Sequence, residues 1–239
     1  EMSVNPAERG TRMTLVERAD RINNSFNQMY NQMDSMRNNL NSLVENKVNR
    51  INDIANSIRS LNTAIVKQEA LGQSPNDLLD KRDLLLDELS SLANVDIKSI
   101  DPDETMIYIG SRSLIQGNVV NKLSLERSAL NEGMFDVYWE NDHVQLNLDG
   151  GELKALLELR DVDTVDAIND LDTLAMNLAD SVNEIHRSGF GLNQETGVDF
   201  FTMNKQTPSV IGNYDLNNDG TEDSTIMFKV SGVNSVDIN

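Results

Sequence analysis

TRMTLVERADRINNSFNQMYNQMDSMRNNLNSLVENKVNRINDIANSIRSLNTAIVKQEAL, residues 11–71, contains neither glycine nor proline. Its apolar residues recur at helical spacing. Leu15, Ala19, Ile22, Phe26, Met29, Met33, Met36, Leu40 and Leu43 alternate steps of four and three. That is the a/d seam of a helix burying a narrow stripe against other helices. Beyond Leu43 the stripe moves over by one residue, to Val44, Val48, Ile51, Ala55 and Ile58, with Ile54, Leu61 and Ile65 alongside. A strict seven-residue repeat imposes a steady left-handed supercoil, and a one-residue slip relaxes the period toward that of a straight helix. The expectation is one long helix, about 55 residues spanning roughly 80 Å.

Asparagine and serine crowd the other faces, at Asn23, Asn24, Asn31, Asn38, Asn39, Asn41, Asn46, Asn49 and Asn52. Asparagine is a middling-to-poor helix former, so packing rather than propensity must hold this helix. The amide face reads as solvated, or as a contact with neighbouring subunits of an assembly.

Gly72 ends the helix. Ser74-Pro75-Asn76-Asp77 opens a second: serine or asparagine can cap it, proline suits the first turn and aspartate the positive end of the dipole. Leu78, Leu85, Leu89 and Leu92 form its stripe. The short turn predicts an antiparallel return along the first helix.

From Asn94 the period changes to two. Asp101-Pro102-Asp103 is a turn, Met106–Ile109 a strand, and Leu114-Ile115 and Val119–Leu125 short strands. Phe135, Val137 and Trp139 alternate, as do Val144, Leu146 and Leu148 beyond Glu140-Asn141-Asp142, which predicts a hairpin. Gly150-Gly151 stops the sheet. A third helix then carries Leu153, Leu156, Leu157, Val165, Ile168, Leu171, Ala175, Leu178, Val182 and Ile185 to Arg187, with Gly189 where a C-cap glycine belongs.

The expected fold is mainly α with a β-rich part: an elongated antiparallel three-helix rod, a small β insertion and the start of an outer β-rich domain. The boundaries run 1–95 for the first two helices, 96–149 for the insertion, 150–201 for the third helix and 202–239 for the outer domain. Phe200-Phe201, at the end of the third-helix part, dock on the helices, and in the outer domain Ile226–Val230 forms a strand.

Composition narrows the function. The 239 residues carry a net charge of −19, which argues against nucleic acid and anionic membranes as partners. Cysteine is absent, which removes disulfides, thiol nucleophiles and thiolate metal sites. No apolar run reaches the 18 residues of a membrane span. No signal peptide is visible, and both ends read as cuts, so a fragment of a longer protein is expected.

Catalytic chemistry is poorly supplied. His143 beside a turn and His186 at a helix end are not spaced as a metal pair, and no third imidazole or thiol completes a site. Asp77, Asp80, Asp83, Asp87 and Glu88 share helix two with Lys81 and Arg82, and Asp161, Asp163, Asp166, Asp170 and Asp172 line helix three. These read as solvated faces rather than carboxylates opposed across a cleft. No phosphate loop or dinucleotide fingerprint is present, and no cofactor is expected. Asp215–Asp223 begins like a calcium loop, with Asp215, Asn217, Asp219 and Asp223 at positions one, three, five and nine and Gly220 at six. Ile226 stands where the bidentate glutamate belongs, so a polar turn is the preferred reading and weak calcium binding the alternative.

Four segments carry a family resemblance. Ser74–Ser90, with NDLLDKRDLLLDELS at its heart, and Gly150–Asp161, GGELKALLELRD, resemble two motifs of the flagellar hook-associated protein 1 family. Asn183-Glu184-Ile185-His186 and Gly197-Val198-Asp199-Phe200-Phe201 resemble its VNxxH and GxDFF motifs, in the same order and spacing across about 15–201. The resemblance implies a structural, non-enzymatic subunit of the bacterial flagellum. It implies a ring of copies joining hook to filament, with the hook protein and the second hook–filament junction protein as partners. It also implies export by the flagellar secretion system to an extracellular flagellum, or to the periplasm where the flagellum is internal. Members carry apolar heptad arms at both ends; this sequence has neither, and a monomeric fragment is expected. Two rival readings remain: a coiled-coil adaptor or scaffold, and a calcium-stabilised surface protein.

Overall fold

A computed structural model describes residues 8–101, 104–191, 194–203, 212–214, 223–226 and 236–238. The chain forms two compact units, Met36–Thr164 and Glu1–Ser35 with Val165–Asn239. Helix α1, Arg9–Ala70, runs through both without interruption, as its lack of glycine and proline inside the periodic stretch predicts.

In the unit Met36–Thr164, α1 contributes Val44, Val48, Ile51, Ile54, Ala55 and Ile58 to the core, all essentially inaccessible. Gly72, at φ +72°, turns the chain. Helix α2, Asn76–Leu92, returns antiparallel, with Arg50 of α1 on Glu88 and Asn62 on Arg82. Its N-terminus corrects the capping expectation. Pro75 itself is the N-cap, and its carbonyl accepts from the amides of Leu78 and Leu79 at 2.9 and 3.0 Å; no side chain caps the helix. Leu86, Leu89 and Leu92 face α1 and the sheet.

The β region fills the rest of this core. Strands β1 (Val95–Asp101), β2 (Glu104–Ile109), β3 (Arg112–Gln116) and β4 (Val119–Val120) form an antiparallel sheet in sequence order. Ile107 pairs with both Ile97 and Ile115. Strands β5 (Leu123–Arg127) and β6 (Phe135–Trp139) form a separate pair, with Leu123 opposite Trp139. The predicted hairpin partner of β6, Val144–Leu148, is only partly a strand. It bonds Val144 O to Trp139 N and Leu146 N to Val137 O, with a single bridge between Tyr138 and Gln145. His143 at φ 53° starts this return, and the chain then leaves for the glycine pair at 150–151.

Helix α3, Glu152–Glu158, a π turn, Leu159–Asp163, and helix α4, Thr164–Ser188, follow without a break. Apolar spacing does not reveal the π turn, because one inserted residue disturbs it too little to register. Leu153 belongs to the core of the first unit.

In the other unit, α4 lies antiparallel to the first half of α1: Ala179 packs near Ala19, and Leu171 and Ala175 near Phe26. Here the observed stripe differs from the expected seam. Ala19, Phe26 and Leu40 are buried and Met33 half-buried, while Leu15, Ile22, Met29, Met36 and Leu43 stay 39–44 % exposed. The covered stripe instead steps through half-buried Asn23 and Tyr30 and continues, within the Met36–Thr164 unit, through buried Arg37 and Val44. Seven-residue spacing cannot say on which side of Ala19, Phe26 and Met33 the neighbouring helix lies. On α4, Leu178 and Ile185 are likewise exposed where the sequence placed them on the stripe. Gly189 follows α4 without a left-handed cap; its amide bonds His186 O at 3.1 Å. Short strands β7 (Phe201–Met203), β8 (Gly212–Tyr214), β9 (Asp223–Ile226) and β10 (Val236–Ile238) pair as β7–β10 and β8–β9. Of the predicted strand Ile226–Val230, all but the first residue lies outside the described residues.

Gly151 is the position where glycine is required. Its φ is +92°, and a Cβ there would stand 2.7 Å from Ala93 Cα and 2.8 Å from Leu92 O. Gly151→Ala is expected to lower the unfolding free energy by about 2 kcal/mol or more. Urea denaturation followed by circular dichroism checks this; an unchanged midpoint would show that the α2 end and the α3 start do not need this contact.

Candidate subunit-contact faces

Asp215, Asn217 and Asp219 lie outside the described residues, and of Asp223 only the backbone of β9 is described. Among the described residues no group of three His, Cys, Asp or Glu side chains could hold a metal ion.

The two histidines are placed by their surroundings. His143, on its turn, has Nδ1 2.8 Å from Glu126 Oε1, at the surface. His186 has Nδ1 2.7 Å from Val198 O and meets the Phe200 ring edge-on. It belongs to a clip that unites two of the sequence motifs. Asn183 is fully buried; its amide donates to Phe201 O at 2.8 Å, and its Oδ1 accepts from the amides of Phe200 and Phe201 at 2.8 and 2.7 Å. Arg187 pairs with Asp199, and its carbonyl takes the Gly197 amide at 3.0 Å. Phe200 and Phe201 then bury against Ala19 and Ala179, as expected of them. The VNxxH and GxDFF segments are therefore two halves of one structural joint.

The remaining motifs are also architectural. Arg160 has no exposed surface. Its Nη1 donates to Asn41 Oδ1 at 2.8 Å and to Phe135 O at 2.9 Å, and its Nε and Nη2 grip Asp161 at 2.7 Å each. The π turn places these consecutive side chains in one cluster, and Thr164 Oγ1 donates to Leu159 O at 2.6 Å within the widened turn. Asp161 also accepts from Asn131 Nδ2 at 2.9 Å, while Arg37 bonds Asn131 and Glu132. Burial pushes the Asp161 carboxyl up, but the hydrogen bonds from Arg160 and Asn131 and the charges of Arg160 and Arg37 outweigh it and hold it below the ordinary carboxylate range. At the surface, hydrogen bonds from Arg50, Arg112 and Arg187 lower Glu88, Asp142 and Asp199.

The amide face of α1 divides in two. Asn41 and Asn52 point inward: Asn41 Oδ1 accepts the Phe135 amide at 2.8 Å, and Asn52 exchanges two 2.9 Å bonds with the Leu123 backbone. Asn24, Asn31, Asn38, Asn39, Asn46 and Asn49 remain exposed. Sequence reasoning missed the two inward residues because amide content alone does not mark them. Their signal was position, since Asn41 and Asn52 lie beside Leu40 and Ile51 on the buried edge.

The family model described as the flagellar hook-associated protein FlgK helical domain matches residues 1–201. Flagellar hook-associated protein 1 of Escherichia coli (strain K12) is 28 % identical over 218 residues, covering 87 % of this chain and 40 % of that protein. The protein of the same name from Salmonella typhimurium is 26 % identical over 243 residues, covering 98 % and 43 %. That from Bacillus subtilis is 26 % identical over 229 residues, covering 84 % and 45 %. The chain thus spans less than half the length of these relatives. Among solved structures, the flagellar hook junction protein FlgK from Burkholderia pseudomallei superposes with a TM-score of 0.73 at 24 % identity, over 85 % of this chain and 38 % of that one, a likeness of fold.

Two variants probe the buried joints. Asn183→Ala leaves two backbone amides and one carbonyl without their partner, at about 1–3 kcal/mol each before relaxation. Expected are a clear fall in the denaturation midpoint and faster proteolysis near residues 189–200; an unchanged cleavage rate would mean that the clip is dispensable. Asp161→Asn tests the charged cluster. A lowered carboxyl contributes stability fully above its unfolded value of about 3.9 and loses it as pH falls through the folded value. The variant should fall below the parent in urea midpoint at pH 7, and the gap should narrow at pH 2. A gap independent of pH would refute the electrostatic origin.

Proposed function

The chain belongs to the flagellar hook-associated protein FlgK helical-domain family, and from that premise we propose that it is a structural subunit of the bacterial flagellum, acting at the junction of hook and filament. The observation that carries this is the match over residues 1–201, with three of the four sequence motifs built into the fold as buried joints. The role is mechanical and not enzymatic. Copies of the protein form a ring between the hook protein and the second junction protein, outside the cell or in the periplasm where the flagellum is internal. Subunits reach that place through the flagellar secretion system. No helix among the described residues is long and apolar enough to cross a membrane.

The contact surfaces proposed for the ring are the exposed amide row of α1 and the acidic face of α4, where Asp166, Asp170, Asp180 and Glu184 are exposed. Amide-rich faces suit contacts that must form and persist in water without driving aggregation beforehand.

Deleting the gene in its source organism and imaging the cells by electron microscopy tests the reading. Expected are hooks without filaments and flagellin accumulating unassembled, both reversed by the gene supplied in trans. Normal filaments on the deletion strain would overturn it.

A further inference from the structure

The turn after β5 presents a leucine to solvent on a rigid base. Leu130, in the 3₁₀ turn Ala129–Asn131, is 101 % exposed. A single exposed leucine needs no explanation by itself. The base beneath it is closely bonded. Ser128 N donates to Met134 O at 2.9 Å, Gly133 N to Ser128 O at 2.8 Å and Met134 N to Asn131 O at 2.8 Å. Asn131 is tied to Asp161 and Glu132 to Arg37, so charged groups from α1 and the π turn fix the residues that follow the leucine. The ordering entropy that usually weakens a loop contact is already spent in the free protein.

An apolar groove of about 560 Å³ lies elsewhere on the same unit, between α1 and α2. Leu61, Leu84 and Leu85 line it, and Leu84 is 70 % exposed. Ser57 and Ser60 at its side turn their hydroxyls onto the carbonyls of Asp53 and Asn56 of their own helix. Its one charged lining residue is Lys81, a cation on a chain of net charge −19. The turn offers the opposite sign: from Ser128 to Gly133 its one charged residue is Glu132, bonded to Arg37 and half-exposed.

We propose that the Leu130 turn of one copy seats in the Leu61–Leu84–Leu85 groove of the next, with Glu132 directed toward Lys81. The two features cannot meet within one chain. The turn is anchored at Arg37 and the groove begins near Ser57 of the same helix, about 30 Å further along at 1.5 Å per residue. The contact is therefore heterologous, one surface against a different one, the type that propagates into rings or helical arrays instead of closing as a dimer. Successive copies are offset by about 30 Å along α1. This deepens the junction-ring reading and rests on it.

Paired cysteines test the contact, since the 239 residues contain none. Leu84→Cys, Leu130→Cys and the double variant are placed in the full-length polypeptide and expressed in the deletion strain. Isolated hook–filament structures are treated with a short bis-maleimide. Both positions are exposed, so each single variant should fold and support filaments. The expected result is a ladder of cross-linked multimers in the double variant and in neither single one. Filaments with no ladder in the double variant would overturn the contact and leave the junction reading standing. Filaments in the deletion strain itself would overturn the junction reading. A companion Leu130→Asp variant should reduce filament number at unchanged urea midpoint, and full filamentation by it would also refute the proposal.

Discussion

Asn41 is the point on which the helix-and-sheet unit turns. Its side-chain oxygen accepts from the Phe135 amide and from Arg160 at 2.8 Å each, and Arg160 also donates to the Phe135 carbonyl. One asparagine on α1 thereby ties the first residue of β6 to the π turn that precedes α4. A fully buried guanidinium is tolerable only when its donors are met and its charge is balanced. Asn41, Phe135 and Asp161 do both. Asn52 repeats the device one helical stretch later, supplying a donor and an acceptor to the backbone of Leu123 in β5. The short β5–β6 pair is thus fastened to the helix through its backbone as well as through Trp139 and Val137 in the core.

The same economy explains the motifs. Gly151 lets the chain pass within van der Waals contact of Ala93, Asn183 satisfies three backbone groups of the Phe200-Phe201 segment, and Arg160 with Asp161 closes the π turn against α1. These motif residues complete hydrogen-bond or steric requirements that their neighbours cannot meet. Residues outside the joints are left free to form surface, and the surface is amide-rich and acidic with a few leucines presented on ordered backbone.

Much of the helical architecture is legible in the sequence. The uninterrupted stretch at 11–71, the break at Gly72, the antiparallel return of α2 and the shift to period two after Asn94 are all local signals, and each appears where expected. The partial hairpin was less legible because β6 is shared: β5 takes one edge along its whole length, and the return segment leaves for Gly150 after three backbone bonds. The cap at Pro75 and the inward turn of Asn41 and Asn52 escaped for a related reason. Composition names the residues that can bond a backbone but not the strand that will need them.

The sequence by itself determined that α1 is a single helix, because sixty residues without a breaker and with apolar spacing of three and four admit little else. It also determined that no thiol chemistry was available, whereas the need for glycine at 151 comes from its approach to Ala93. Which side of the apolar arc would be buried was decided only by tertiary structure. Ala19, Phe26 and Met33 form the middle of that arc, and a neighbour on either flank would have satisfied the same periodicity; α4 covers the side of Asn23 and Tyr30, and Leu15, Ile22 and Met29 stay open. Periodicity reports the angle between apolar rows on one helix, whereas burial depends on where another element can come to rest, and that is settled by non-local contacts such as Asn183 with Phe201 and Arg160 with Asn41.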